Sequence, residues 1–173
     1  ICITFDDGYA NNFDVALPIL RSVGVPATFF IATGYLDGGL MFNDAVTEAI
    51  PRTARSTLDL APLGFREFDL TGIDARRRAV REINNSLKYL DVARRNRLVA
   101  QLREQAEVEF PGSLMMTRGQ VLALHAAGMD VGGHTISHPI LARLPDEEAS
   151  REIIEGRAQL EQILNVPPRS FAY

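Results

Sequence analysis

Residues 1–32 limit the possible folds more than any other part of the chain. Ile1–Phe5 reads as a buried strand. Asn11 or Asn12 then caps a helix running to about Val23, with Phe13, Ala16, Leu17, Leu20 and Val23 as its apolar face. Pro18 marks a weak point, where the helix either starts late or kinks. Gly24-Val25-Pro26 ends it, and Ala27–Ala32, containing Thr-Phe-Phe-Ile, reads as a second strand. Strand, helix, strand within about thirty residues is a βαβ unit, which implies a parallel sheet with a right-handed crossover.

The first strand stops at Thr4-Phe5-Asp6-Asp7-Gly8. An unpaired charge in a buried strand costs several kcal/mol, so two adjacent carboxylates belong at its end. Two readings are open there: an Asp-Gly turn, or a place where something binds.

The 173 residues, 46% hydrophobic, suffice for one well-buried domain. A formal net charge of −4 gives no overall sign of a nucleic-acid or acidic-membrane partner. The single cysteine, Cys2, rules out an internal disulfide framework and reads as a small buried hydrophobe. No apolar run approaches the roughly 20 residues of a membrane span. The chain begins in a strand without Met and stops in strand-like sequence, so it reads as an excerpt of a longer protein.

Between the second strand and the next, residues 34–111 read as a mainly helical insertion. Asn43–Ile50 suggests a short helix. Thr57–Leu60 with Phe65–Leu70 suggests a small hairpin, and Asp74–Leu90 and Asp91–Phe110 suggest two helices. Arg76–Arg103 is rich in Arg but interleaved with acids, which favours a solvated face over a polyanion site. After Pro111 the pattern tightens. Thr117 and Gln120 form a capping box, and Val121, Leu122 and Leu124 lie on a helix ending at Gly128. Met129–Gly132 is a short strand. Asp146–Leu164 is an amphipathic helix with Ile153, Ile154, Leu160, Ile163 and Leu164 facing inward, and Arg169–Tyr173 begins a further strand.

His134 and His138 lie in Gly133-His134-Thr135-Ile136-Ser137-His138-Pro139, just after the Met129–Gly132 strand. Two histidines at this spacing can share one metal through neutral imidazole nitrogens, or can serve as ordinary loop histidines. In a barrel of alternating strands and helices the C-terminal strand ends gather on one face. Asp6, Asp7, His134 and His138 would then converge. One carboxylate and two imidazoles leave coordination positions open, which suits catalysis, and the second carboxylate is free to act as general base on an activated water.

Thr-Phe-Asp-Asp-Gly followed by His-Thr-x-Ser-His resembles the first two signature motifs of the polysaccharide deacetylases, the NodB-homology domain of carbohydrate esterase family 4. Leu17–Leu20, Gly24–Phe30, Gly128–Gly132 and Phe171-Ala172-Tyr173 extend the likeness, which covers about residues 1–33 and 112–173. The resemblance implies a distorted, incomplete (β/α) barrel, here one domain over 1–173. It implies metal-dependent removal of acetyl groups from N-acetylated, less often O-acetylated, sugars of a glycan substrate. By motif, Asp6 would be the general base and Asp7, His134 and His138 would hold the metal, zinc by preference. Thr135 and Ser137 would fix the histidines, and Tyr173 would lie in the surrounding shell or against substrate. The family favours a bacterial-type cell envelope or extracellular location, with the cytoplasm still open.

Three departures qualify this. Many relatives read Phe-Arg-Pro-Pro-Tyr in the third motif, where the Arg positions the catalytic Asp. Here Ala172 stands at that position, as in the Phe-Ala-Tyr-Pro subgroup associated with exopolysaccharides. The chain stops before the motif that carries the family's general-acid histidine, and His125, inside a helix, is no substitute. The 34–111 stretch exceeds an ordinary connection. Hydrolysis of small amides or imides, a metal-retaining carbohydrate-binding scaffold without turnover, and a two-histidine-one-carboxylate iron site are the competing readings.

Overall fold

In the computed structural model β1 is only Thr4–Phe5, and it pairs in parallel with β2, Thr28–Ile31, placing Thr4 opposite Thr28 and Phe5 opposite Phe29. The structure describes residues 1–110, 112 and 114–173. Pro111 and Ser113, and with them the expected boundary at Pro111, lie outside the described residues. The helical link between β1 and β2 is not a single α-helix. A π-helical turn, Asn12–Ala16, leads into α1, Leu17–Val23. Pro18 stands in the first turn of α1, where its missing N–H is tolerated, so the irregularity falls just before it. The expected asparagine cap is not made: Asn11 is already helical and its side chain caps nothing. The wider turn also rotates the apolar stripe. Leu17 and Leu20 are buried and Phe13 packs on the core, but Val23 is exposed.

Leu40–Pro111 forms one compact unit, and Ile1–Gly39 with Gly112–Tyr173 forms the other. Within the first of these, α2 (Phe42–Arg52) extends past the expected bounds at both ends and carries Pro51 in its last turn. β3 (Thr57–Asp59) pairs antiparallel with β4 (Glu67–Asp69). α3 (Gly72–Leu87) and α4 (Val92–Ala106) follow, the latter capped by Asp91, which accepts the Arg94 N–H at 2.8 Å. Phe68, Leu58, Ile83, Leu98 and Leu102 fill this unit's core. Most of the arginines are solvated, as the interleaved acids suggest. Arg95 departs from this: it is buried and its guanidinium stacks 4.5 Å over the Phe42 ring.

α5 (Arg118–Ala126) returns the chain to the sheet-bearing unit, with both halves of the Thr117–Gln120 capping box in place. β5 (Asp130–Gly133) pairs in parallel with β2, giving a three-stranded sheet in the order β1-β2-β5. α6 (Asp146–Leu164) packs against β5 and α5. Its inward stripe is Gly156, Leu160 and Leu164, spaced four apart, which turns Ile153 and Ile154 toward solvent, contrary to expectation. Leu122 of α5 is exposed for a similar reason, while Val121 and Leu124 are buried. Beyond α6 the expected strand reduces to a single parallel bridge between Gly133 and Phe171.

The core of this unit runs from Phe29 and Ile31 on β2 through Val131, Val121 and Leu124 to Leu160. β1 does not share that burial. Ile1, Cys2, Ile3 and Thr4 are exposed, correcting the reading of a buried strand and a buried cysteine. The reason is position: β1 is an edge of the sheet and has a strand on one side only among the described residues.

Candidate metal centre

The cluster residues lie just beyond the C-terminal ends of β1 and β5. After β1 the chain turns within three residues: the Gly8 N–H donates to the Asp6 carbonyl at 3.0 Å, with Asp7 at φ 74° between them. A three-residue turn about a positive φ is the rarer and more strained γ-turn, a conformation that costs of order 1–3 kcal/mol and persists where its surroundings enforce it. They do so here. The Asp7 carbonyl accepts from Ala32 N at 3.2 Å, and the Gly8 carbonyl accepts from Met116 N at 2.9 Å. The turn reading is realised, and the turn fixes the main chain of Asp7 on both sides.

Asp7 Oδ1 lies 3.4 Å from His134 Nε2 and 3.3 Å from His138 Nε2. One ligating atom from each residue lies within 4.8 Å of the other two, a grouping able to hold a metal ion. Two ligands of a tetrahedral ion with bonds of about 2.0–2.1 Å stand roughly 3.3–3.4 Å apart, so both carboxylate–imidazole separations fit such an ion. His134 is buried, with 8% of its side chain exposed, whereas His138 at 37% forms the rim, so the site is approached from the His138 side.

The imidazole of His134 has a fixed orientation. Its Nδ1 is 3.0 Å from the Ala172 carbonyl, and since a carbonyl only accepts, Nδ1 carries a proton and Nε2 is left to face Asp7. Ala172 itself is held by its N–H, which donates to the Gly133 carbonyl at 3.0 Å. The contribution of Ala172 is thus a main-chain oxygen that any residue would supply.

The loop between the histidines is not a helical turn. Thr135 and His138 have φ of 67° and 52°. The Thr135 hydroxyl donates to the His134 carbonyl and accepts the His138 N–H at 3.1 Å, so it braces the main chain of both histidines. Ser137 Oγ donates to Glu152 Oε1 at 2.6 Å. Asp6 is exposed and lies outside the three-residue cluster, but its negative charge helps to raise the His134 pKa. Tyr173 is fully exposed and His125 is exposed on α5, and the structure brings neither into the cluster. Two contributors carry no recognisable motif, Glu152 and the Ala172 carbonyl. The place of Glu152 four residues before Gly156, in line with the buried Gly156, Leu160 and Leu164 of α6, is the signal that would have pointed to it.

The Asp7 carboxyl is held below the usual carboxylate range by its hydrogen bond to His134, against the effect of burial, and the charges of both histidines add to this. Burial alone would lower the His134 pKa. The Asp7 hydrogen bond, the Ala172 carbonyl and the charges of Asp7 and Asp6 outweigh it and raise the value above its usual 6.5. A metal bound through Nε2 must displace any proton held there. Asp7 supports the fold above its ordinary 3.8 and loses that contribution as pH falls through its depressed pKa. His134 supports the fold below 6.5 and loses its contribution as pH rises through its raised pKa. Chelator-treated protein should therefore lose the His134 contribution to stability as pH rises from 6.5 through that raised pKa, while metal affinity climbs over the same interval with proton release. Calorimetric titrations in buffers of different ionisation enthalpy check this, and zinc affinity flat across that interval would refute it.

The family profile described as polysaccharide deacetylase matches residues 1–173. The chain belongs to that family. Two solved structures are similar over 99% of this chain. The Streptococcus pyogenes deacetylase PplD in complex with acetate has a TM-score of 0.52 at 17% identity, and IcaB from Ammonifex degensii has a TM-score of 0.51 at 18% identity. At these identities the likeness establishes the fold, an incomplete NodB-type (β/α) barrel. The chain spans 44% and 48% of the lengths of those two proteins. No curated protein matches it.

Proposed function

We propose that this deacetylase-family chain contributes the metal-binding and general-base half of an active site that removes acetyl groups from an N- or O-acetylated polysaccharide, with zinc as the ion. The observation that carries this is the convergence of Asp7 Oδ1 with the Nε2 atoms of His134 and His138 at 3.3–3.4 Å, with His134 Nδ1 committed to Ala172. Two nitrogens and one oxygen suit zinc and leave room for other ligands, unlike the closed four-ligand sites of structural zinc. The ion supplies Lewis acidity toward the acetyl carbonyl oxygen and toward water. Asp6, exposed beside the cluster, takes a proton from the attacking water as its oxygen adds to the acetyl carbon. The bond from that carbon to nitrogen or oxygen then breaks, acetate leaves, and the proton held by Asp6 is available to the departing group. Thr135 keeps the two histidine backbones in register throughout. The Streptococcus pyogenes relative is described in complex with acetate, which is the product expected here.

The test is acetate release by the intact protein from N-acetylglucosamine oligomers, O-acetylated polysaccharide and cyclic imides, with and without chelator. Chelator-sensitive acetate release from an acetylated sugar supports the proposal. Turnover confined to imides would assign the protein to small-molecule amide hydrolysis. Stoichiometric zinc and glycan affinity without turnover would make it a binding domain.

A further inference from the structure

We infer that Glu152 on α6 is a positioning residue that sets the His134–His138 loop in its ligating conformation; this rests on the metal reading given above. The Glu152 carboxylate accepts three hydrogen bonds from that loop: Ile136 N–H at 2.8 Å, Ser137 N–H at 2.9 Å and Ser137 O–H at 2.6 Å. Thr135 just before them is in the left-handed region, so the two successive N–H groups point the same way and form a small anion-binding concavity. The carboxylate that fills it comes from a helix, a rigid support, rather than from another loop.

Three main-chain carbonyls of the loop are taken by the segment after β2. The Thr135 carbonyl accepts from Thr33 N at 3.2 Å and the Ile136 carbonyl from Gly34 N at 2.9 Å, while Tyr35 O–H donates to the Ser137 carbonyl at 2.8 Å. The approach is close on both sides. A Cβ on Gly34 would meet the Ile136 oxygen at 2.7 Å, and one on Gly156 would meet Thr135 main-chain atoms at 3.2 Å. The loop is therefore clamped between the segment after β2 and one face of α6. Glu152 supplies the charged part of the clamp, where hydrogen bonds are strongest. Groups that orient metal ligands typically account for about 10–100-fold in metal affinity.

The experiment compares wild type, Glu152→Gln, Glu152→Ala and the solvent-facing control Glu155→Ala. It reads zinc affinity by competition with a chromophoric chelator, the visible spectrum of the cobalt-substituted protein, and hydrogen exchange of the Ile136 and Ser137 amides. Glu152→Ala should weaken zinc binding about 10–100-fold and alter the cobalt spectrum, with Glu152→Gln intermediate because its amide oxygen still accepts. Both amides should exchange about tenfold faster or more than in wild type, while Glu155→Ala matches wild type in all three readouts. Zinc affinity and amide exchange in Glu152→Gln equal to wild type would overturn the inference, and this variant, isosteric with the natural residue, decides if Glu152→Ala does not fold. If wild type takes up no zinc and His138→Ala behaves identically, the metal reading fails, while the amide exchange still decides whether Glu152 holds the loop.

Discussion

Asp7→Ala is expected to abolish stoichiometric metal uptake and, with it, chelator-sensitive acetate release. Asp7 is the one anionic member of the three-residue cluster, and its Oδ1 faces both imidazoles. Its removal leaves two neutral ligands, one of them buried. The loss should exceed the roughly 10–100-fold typical of losing a group that merely orients a ligand. Asp7→Asn sharpens the test: it keeps the shape and one oxygen but removes the charge, so binding should weaken severely rather than vanish. Alanine at φ 74° also inherits the strain of the turn without a local polar partner, so a modest fall in melting temperature should accompany the loss. The measurements are zinc per protein after dialysis, and acetate release at saturating zinc. A full complement of zinc in Asp7→Ala would remove this residue from the ligand set and with it the proposed centre.

Asp6→Asn should separate chemistry from binding. Asp6 is exposed and outside the cluster, so the variant should retain zinc with near-native affinity. Losing a general base typically removes about 100- to 10,000-fold in rate, and the loss should appear in kcat with KM little changed. Wild-type acetate release by Asp6→Asn would reassign the proton acceptor. Coincident loss of zinc and activity would instead make Asp6 part of the ligand set.

What could be read from the residues alone tracks how local the information is. The Thr117–Gln120 capping box, the β3–β4 hairpin and the limits of α6 are specified within a few residues of chain, and they appear as expected. Asp7 and the His134–His138 pair lie far apart in sequence, but both follow strands of one parallel sheet, and their ligating atoms lie within 4.8 Å of one another. What could not be read depends on rotation or on position in the sheet. Five-residue winding before Pro18 turned Val23 outward, and the inward stripe of α6 runs through Gly156 rather than Ile153 or Ile154. Cys2 has the composition of a core strand, but its strand is at an edge. Arg95 belongs to a charged run, yet an aromatic ring accepts its guanidinium inside the core. Glu152 and the Ala172 carbonyl are invisible to motif reading because one acts through main-chain amides and the other through its own main chain.

The hydrogen bond from His134 to Ala172 has a consequence for the order of folding. The ring of His134 is oriented by a residue near the far end of the sequence, while the carboxylate it faces lies near the start. Contacts of such long range form late, because the entropy of closing the intervening chain must be met first. The centre is thus complete only when the C-terminal segment has docked beside β5. Zinc is expected to enter a chain that is already folded and to act afterwards as a removable cross-link, adding stability in proportion to the logarithm of its free concentration. Refolding rates should therefore be insensitive to zinc, and unfolding rates should fall as zinc rises.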